Sequence, residues 1–163
     1  MKTFTFSLKN LSTPRDVCYL LEKEGTKYYV YSFQSTTDII KFGKAADNEW
    51  MFGTWGNRLY RQAGGIPGWG SCSLNDTSAK DMRLQMQKHF PDLTRNDITV
   101  TVFDFTQELD NKKPSEINKM LLNEENDRVK QYTFAVGRRP NLNIQPTKNH
   151  FSPIWSDDIF EGV

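Results

Sequence analysis

Two cysteines, Cys18 and Cys72, and two histidines are all that the 163 residues offer of the usual zinc-binding side chains, and no spacing links them. A structural zinc site and a disulfide framework are both disfavoured on that count. Two unbridged thiols suit a reducing compartment, so a cytoplasmic location is expected. No run approaches the ~18 apolar residues of a membrane span. The N-terminal KTFTFSL alternates and lacks the apolar core of a signal peptide. No membrane partner is expected. Charge of one sign is missing too: 21 basic residues stand against 20 acidic ones, a formal net charge of +1. A nucleic-acid role therefore requires local basic clusters, because phosphate contacts supply most of the affinity. The sequence also has no internal repeat and no low-complexity run.

What is present fits a folded α/β chain. Hydrophobic residues make up 37% and charged residues 25%, the balance of a globular protein. The length suits a single domain, residues 1–163, with one core. Aromatics reach 13%, enough for a core and for stacking or wedge residues on a ligand face. The basic residues pair up as Lys41 with Lys44, Arg58 with Arg61, and Arg138 with Arg139. Each pair taken alone also reads as a solvated surface.

Residues 3–8 alternate and predict an edge strand. Residues 14–23 predict a short helix, with Thr13 as N-cap, Pro14 at its first position and Gly25 as breaker. KYYVYSF (27–33) and IIKFG (39–43) read as two strands joined by the loop QSTTD, a hairpin ending at Gly43. Residues 45–56 and 64–76, with Trp50, Trp55 and Trp69, read as ordered loops around a helix at 57–63. These tryptophans either dock on a distorted duplex or form an apolar cluster under the loops. A helix over 77–90 presents Met82, Leu84, Met86 and Phe90 on its apolar side. DITVTVFDF (97–105) is the clearest strand, and Pro114 opens a helix over 115–132. The expected fold is a small α/β sandwich with a mostly antiparallel three-stranded sheet flanked by helices.

If the hairpin loop centres on Thr36, Phe33 pairs with Ile39 and Tyr31 lies opposite Lys41. Opposed residues share a face of the sheet. An ammonium beside a phenol favours the phenolate, which prepares a tyrosine to take a proton from water. An ordinary amphipathic hairpin gives the same pattern without any chemistry.

YVY at 29–31, followed by KFG at 41–43, resembles the paired motifs of the GIY-YIG nuclease family, in the variant with lysine for the second tyrosine that phage and restriction-enzyme branches carry. Tyr31 falls on the first catalytic tyrosine, and Gly43 on the closing glycine, where a strand yields to a close-packed turn. The resemblance continues with an arginine opening a helix, Arg58 in NRLYRQ, with Arg61 as runner-up. A guanidinium there holds the scissile phosphate with a planar fork. Four residues on, the family often has His or Tyr. Here stands Gln62, a departure that leaves a second general acid/base unassigned, since Tyr60 reaches in only if the helix is rotated. In LLNEENDRVKQY (121–132), Glu125 fits the family's metal-binding glutamate, on one stripe with Leu122, Val129 and Tyr132. Glu124 shares a stripe with Ile117, Met120 and Leu121 and remains the alternative. RRPNLN (138–143) resembles the closing segment, with Asn143 as a supporting hydrogen-bond residue and Asn141 as alternative.

The resemblance covers about residues 27–145, leaving an N-terminal extension at 1–26 and a tail at 146–163. It implies a DNA endonuclease: Tyr31 and Lys41 activate water, Arg58 holds the phosphate, and Glu125 binds Mg²⁺ or Mn²⁺. Lys44, Arg61, Arg138 and Arg139 are the expected DNA contacts, and the DNA is double-stranded. One such site cuts one strand, so a homodimer is a possible partner arrangement. The alternative is an inactive nucleic-acid-binding module on the same fold.

Overall fold

The computed structural model describes residues 1–46, 58–70 and 77–143. In chain order these form β1 (Lys2–Ser7), α1 (Asp16–Glu24), β2 (Tyr28–Gln34), β3 (Ile39–Ala46), α2 (Arg58–Ala63), α3 (Thr77–His89), β4 (Thr99–Asp104), α4 (Thr106–Leu109) and α5 (Pro114–Val136). The sheet is fully antiparallel, with strand order β1-β4-β2-β3. It has four strands where three were expected. β1 pairs with β4 from Lys2↔Asp104 to Ser7↔Thr99, because its alternating KTFTFS puts Phe4 and Phe6 on one side, half-buried against the core. The first 26 residues thus contribute an edge strand and, through Val17 and Leu21 of α1, part of the core.

Helices cover both faces. On the first face, Tyr29, Tyr31 and Phe33 of β2 and Val100 and Val102 of β4 pack with Leu21, Leu59, Met82 and Met86 from α1, α2 and α3. The period-2 alternation sends Val30, with Phe103, to the second face, where Ile117 and Leu121 of α5 cover them. Among the described residues no helix is long and apolar enough to cross a membrane.

Several boundaries differ from expectation. α1 starts at Asp16, not Pro14, with Arg15 rather than Thr13 at the N-cap. The Asp16 carboxylate accepts the Ser12 and Thr13 amides at 2.8 and 3.2 Å, closing a turn ahead of the helix that keeps Pro14 outside it. α3 buries Ala79, Met82 and Met86, a 3–4 spacing, while Leu84 falls off that stripe and is exposed. α5 runs on to Val136, because its stop signal is Gly137, in the left-handed region at φ 90°. β3 does not end at Gly43 but continues to Ala46.

The hairpin register also differs. Gln34 pairs with Ile39, but Phe33 pairs with Lys41 and Tyr31 with Gly43. Ile40 is the extra residue of a β-bulge, which shifts everything beyond it by one place and returns Lys41 to Phe33's face. Tyr31 and Lys41 are therefore diagonal neighbours on one face, not an opposed pair.

Candidate functional site

The second face carries an anomaly. A helix covering a sheet should present an unbroken apolar stripe, and α5 nearly does: Ile117, Leu121, Val129 and Tyr132 are all buried. Between Leu121 and Val129 sits Glu125, 6% exposed. β3 has the matching break, with Lys44, 7% exposed, between Phe42 and Ala46. These two charges divide the layer into separate apolar clusters, Leu121 with Ala46 on one side and Val129 with Phe42 on the other. Two turns before Glu125 on α5, Asn118 is fully buried. Its Oδ1 accepts from Lys44 Nζ at 3.4 Å, and its Nδ2 has no partner among the described residues.

More cations converge on Glu125. Its charge lies in the fields of Lys44, Arg58, Lys41 and Arg139, in falling order of strength. Burial nonetheless prevails and holds the carboxyl above the usual range. Burial likewise pushes Lys41 and Lys44 down to about 8, helped by repulsion from Arg58 and opposed by attraction to Glu125, with Asp81 adding to the attraction on Lys41. Lys41 and Lys44 are on opposite faces of β3. The charges of both act on Glu125, and β3, which carries them, is an edge strand.

The depressed lysines predict a pH dependence. A fall from 10.5 to about 8 corresponds to ~3 kcal/mol for each lysine. The folded-state pKa is lowered, so this stability is fully present above pH 10.5 and is lost as pH falls through about 8. Denaturant midpoints of the wild type should rise between those values. Lys44→Met should flatten the rise, and an equal slope in the two proteins would contradict the burial of Lys44 as a charge.

Tyr31 is placed by a different set of contacts. Its ring is fully buried and crosses directly over Gly43. A Cβ at Gly43 would come within 2.4 Å of Tyr31 Cζ and 2.5 Å of Oη. The glycine is therefore needed for the tyrosine to lie there, not for a turn as the motif suggested. The phenol donates to Gln62 Oε1 at 2.6 Å. Gln62 is one helical turn after Arg58, so α2 offers a guanidinium and an amide on one side. The expected contact between the Tyr31 phenol and the Lys41 ammonium is replaced by two others: Tyr31 bonds to Gln62, and Lys41 Nζ donates to Leu142 O at 3.4 Å. The bulge is the physical reason.

Asn143 closes the edge of the site. Its side-chain amide imitates a neighbouring strand, with Oδ1 accepting the Phe42 amide at 2.6 Å and Nδ2 donating to Phe42 O at 3.1 Å. Leu142 N donates to Ile40 O at 3.0 Å and Arg139 Nε to Asn143 O at 2.7 Å. The segment after α5 thereby satisfies the open backbone of β3 and carries Arg139 to Glu125.

The chain matches no protein-family model, no curated protein and no solved structure.

The charges of Lys41 and Arg58 thus act on Glu125, while Tyr31 is placed by Gln62 and Gly43. Glu124 is turned elsewhere and pairs with Arg128 at 2.7 Å. Of the four expected DNA contacts, Arg139 and Lys44 belong to the cation set around Glu125. Arg61 donates to Ser78 at 3.1 Å. Arg138 is held by Asp38 at 2.6 Å, and Asp38 is also bonded by the Tyr132 hydroxyl. Burial raises the Asp38 carboxyl, but these two hydrogen bonds outweigh it and lower it. Trp69 is built into the core edge, its Nε1 donating to Ala63 O at 2.9 Å and its ring 4.6 Å from the Arg95 guanidinium. Trp50 and Trp55 lie outside the described residues, as does Cys72. Sequence reasoning missed Asn118 and the interior position of Lys44. The available signal was spacing: Asn118, Glu125 and Tyr132 recur every seven residues on one helix face. A groove of about 580 Å³ on the other flank of α5, between Gln34, Thr101 and Arg128, includes none of the cation set.

Proposed function

We propose that the charged cluster of β3, α2 and α5 hydrolyses DNA phosphodiesters in the manner of the GIY-YIG nucleases. The observation that carries this reading is one buried carboxylate, Glu125, in the electrostatic field of Lys41, Lys44, Arg58 and Arg139 from three separate stretches of chain. A fold tolerates such a desolvated cluster, whose burial lowers two lysines and raises the acid, where the charges have work to do on a ligand.

In this reading Arg58 and Arg139 grip the phosphate, and the fork of Arg58 answers charge building on its oxygens. Tyr31 has its ring pinned across Gly43 and its hydroxyl set by Gln62. With its phenolic proton first released to solvent, the phenolate takes one from the attacking water, with Lys41 nearby on the same face supplying positive charge. The described residues hold no group of three or more His, Cys, Asp or Glu, so no all-protein cage exists among them. A single buried carboxylate fits Mg²⁺ or Mn²⁺ none the less, because Mg²⁺ takes one or two carboxylates and fills its shell with substrate phosphate and water. When bound, the ion supplies Lewis-acid stabilisation of the developing charge, and Glu125 is the residue that would hold it.

Incubating the protein with plasmid and Mg²⁺ should give nicked circles. Tyr31→Phe should lower the rate by about 10²–10⁴, the usual worth of a positioned general base. Wild-type speed in Tyr31→Phe would remove the tyrosine from the chemistry. One observation favours the second reading, an inactive binding module: Gln62, facing Tyr31, is an amide and cannot itself carry a proton. Duplex binding with no cleavage under any divalent ion would select that reading.

A further inference from the structure

Charge in the cluster is one-sided. Among the described residues one carboxylate, Glu125, lies in the field of four cations, and only Asp81 adds to the balance, at Lys41. A divalent cation entering this field meets repulsion from every cation and attraction from one acid. A phosphodiester meets the reverse. Two surrounding features keep the imbalance in place. Lys44 is buried at the level of Glu125 with its ammonium directed to Asn118, and Arg139 is fixed by the Asn143 carbonyl. Neither cation is positioned to swing away when a metal approaches. The barrier is also local, since the net charge of the whole chain is only +1.

We infer that this cluster is an anion site first and a metal site second: the phosphodiester seats on Lys41, Arg58 and Arg139 without metal, with the interior charge of Lys44 adding to their field, and a divalent ion is retained by Glu125 only together with the phosphate. This rests on the phosphodiester reading above and adds the order of assembly. Electrostatics sets that order, because the bound phosphate cancels the repulsion that excludes the ion. By linkage, the ion must then tighten DNA binding by the same factor as DNA tightens ion binding.

The test uses the full chain, a fluorescein-labelled duplex read by anisotropy, and Mn²⁺ alone read by calorimetry. In EDTA the wild type should bind the duplex, and Lys44→Met should bind it several-fold more weakly. Glu125→Gln, which removes the one repulsive charge, should bind it several-fold more tightly. Mn²⁺ added to free protein should give no heat of site binding. In the Tyr31→Phe background, used so that the probe stays intact, Mn²⁺ should tighten the duplex by roughly 5- to 150-fold, the usual range of a two-ligand coupling. Adding Glu125→Gln to that background should abolish the tightening. Stoichiometric Mn²⁺ binding to free wild type that is lost in Glu125→Gln would overturn the inference. So would loss of duplex binding by a Glu125→Gln protein that melts normally. Cleavage by the wild type with Mg²⁺, run on the same duplex, separates the two levels. If the binding pattern holds and cleavage is absent, only the hydrolase reading falls. If cleavage occurs and metal binds first, only the order of assembly falls.

Discussion

Glu125→Gln is expected to be more stable than the wild type and unable to cleave DNA. The two effects share one origin. Burial holds the Glu125 carboxyl above its ordinary range against the pull of four cations, so the folded state disfavours the ionised form. For a raised pKa the stabilising contribution is present below the ordinary value and is lost as pH rises through the folded one. Above the ordinary carboxyl range the raised acid is therefore a cost, and the neutral amide of the same shape removes it. The gain should appear as a rise in Tm. Cleavage should fall by roughly a thousandfold, the loss of about 4 kcal/mol of charge stabilisation at the phosphate. A structural ion pair predicts the opposite sign, because breaking a buried pair destabilises. Thermal melts and nicking rates of the one variant together decide the point. A lower Tm with unchanged nicking would make Glu125 a packing residue.

Gly43→Ala should be strongly damaging for a single added methyl, as should Gly65→Ala, whose Cβ would come within 2.2 Å of Ala79 O. At Gly43 the new Cβ would lie 2.4 Å from Tyr31 Cζ and 2.7 Å from Cε2, well inside contact distance. The ring has nowhere to retreat, with Tyr29 and Phe33 at centroid distances of 5.9 and 5.7 Å and Val102 opposite on β4. Overpacking of this kind costs about 1–3 kcal/mol. A hydroxyl displaced by ~1 Å would leave Gln62 and lower cleavage by about 10²-fold. The cause is separable from a general strand defect by a double variant. Removing the ring with Tyr31→Leu should cost less in Gly43→Ala than in the wild type, because the clash disappears with it. Additive losses would place the defect in the β3 backbone instead, and a wild-type Tm for Gly43→Ala would exclude the clash.

The elements were legible from the sequence because their signals are local. The alternation of KYYVYSF and TVTVFD gave β2 and β4, Pro114 opened α5, and Gly25 stopped α1. Glu125 was also legible as an acid on an apolar stripe, since helical periodicity is a property of the segment alone. What the tertiary structure decided depends on pairing across the chain. One bulged residue, Ile40, slid the hairpin register, separated the Tyr31 phenol from Lys41 and put Gly43 beneath the ring, and nothing within residues 35–40 dictates it. Lys44 looked like a surface phosphate contact because a strand's two faces are indistinguishable until another element covers one. α5 covers that face, and its Asn118 and Glu125 turn Lys44 into an interior charge. The convergence of Lys41, Arg58, Glu125 and Arg139 spans almost a hundred residues of sequence, and it exists only because β3 is an edge strand with α2 at one side, α5 at the other and Asn143 bonded along it.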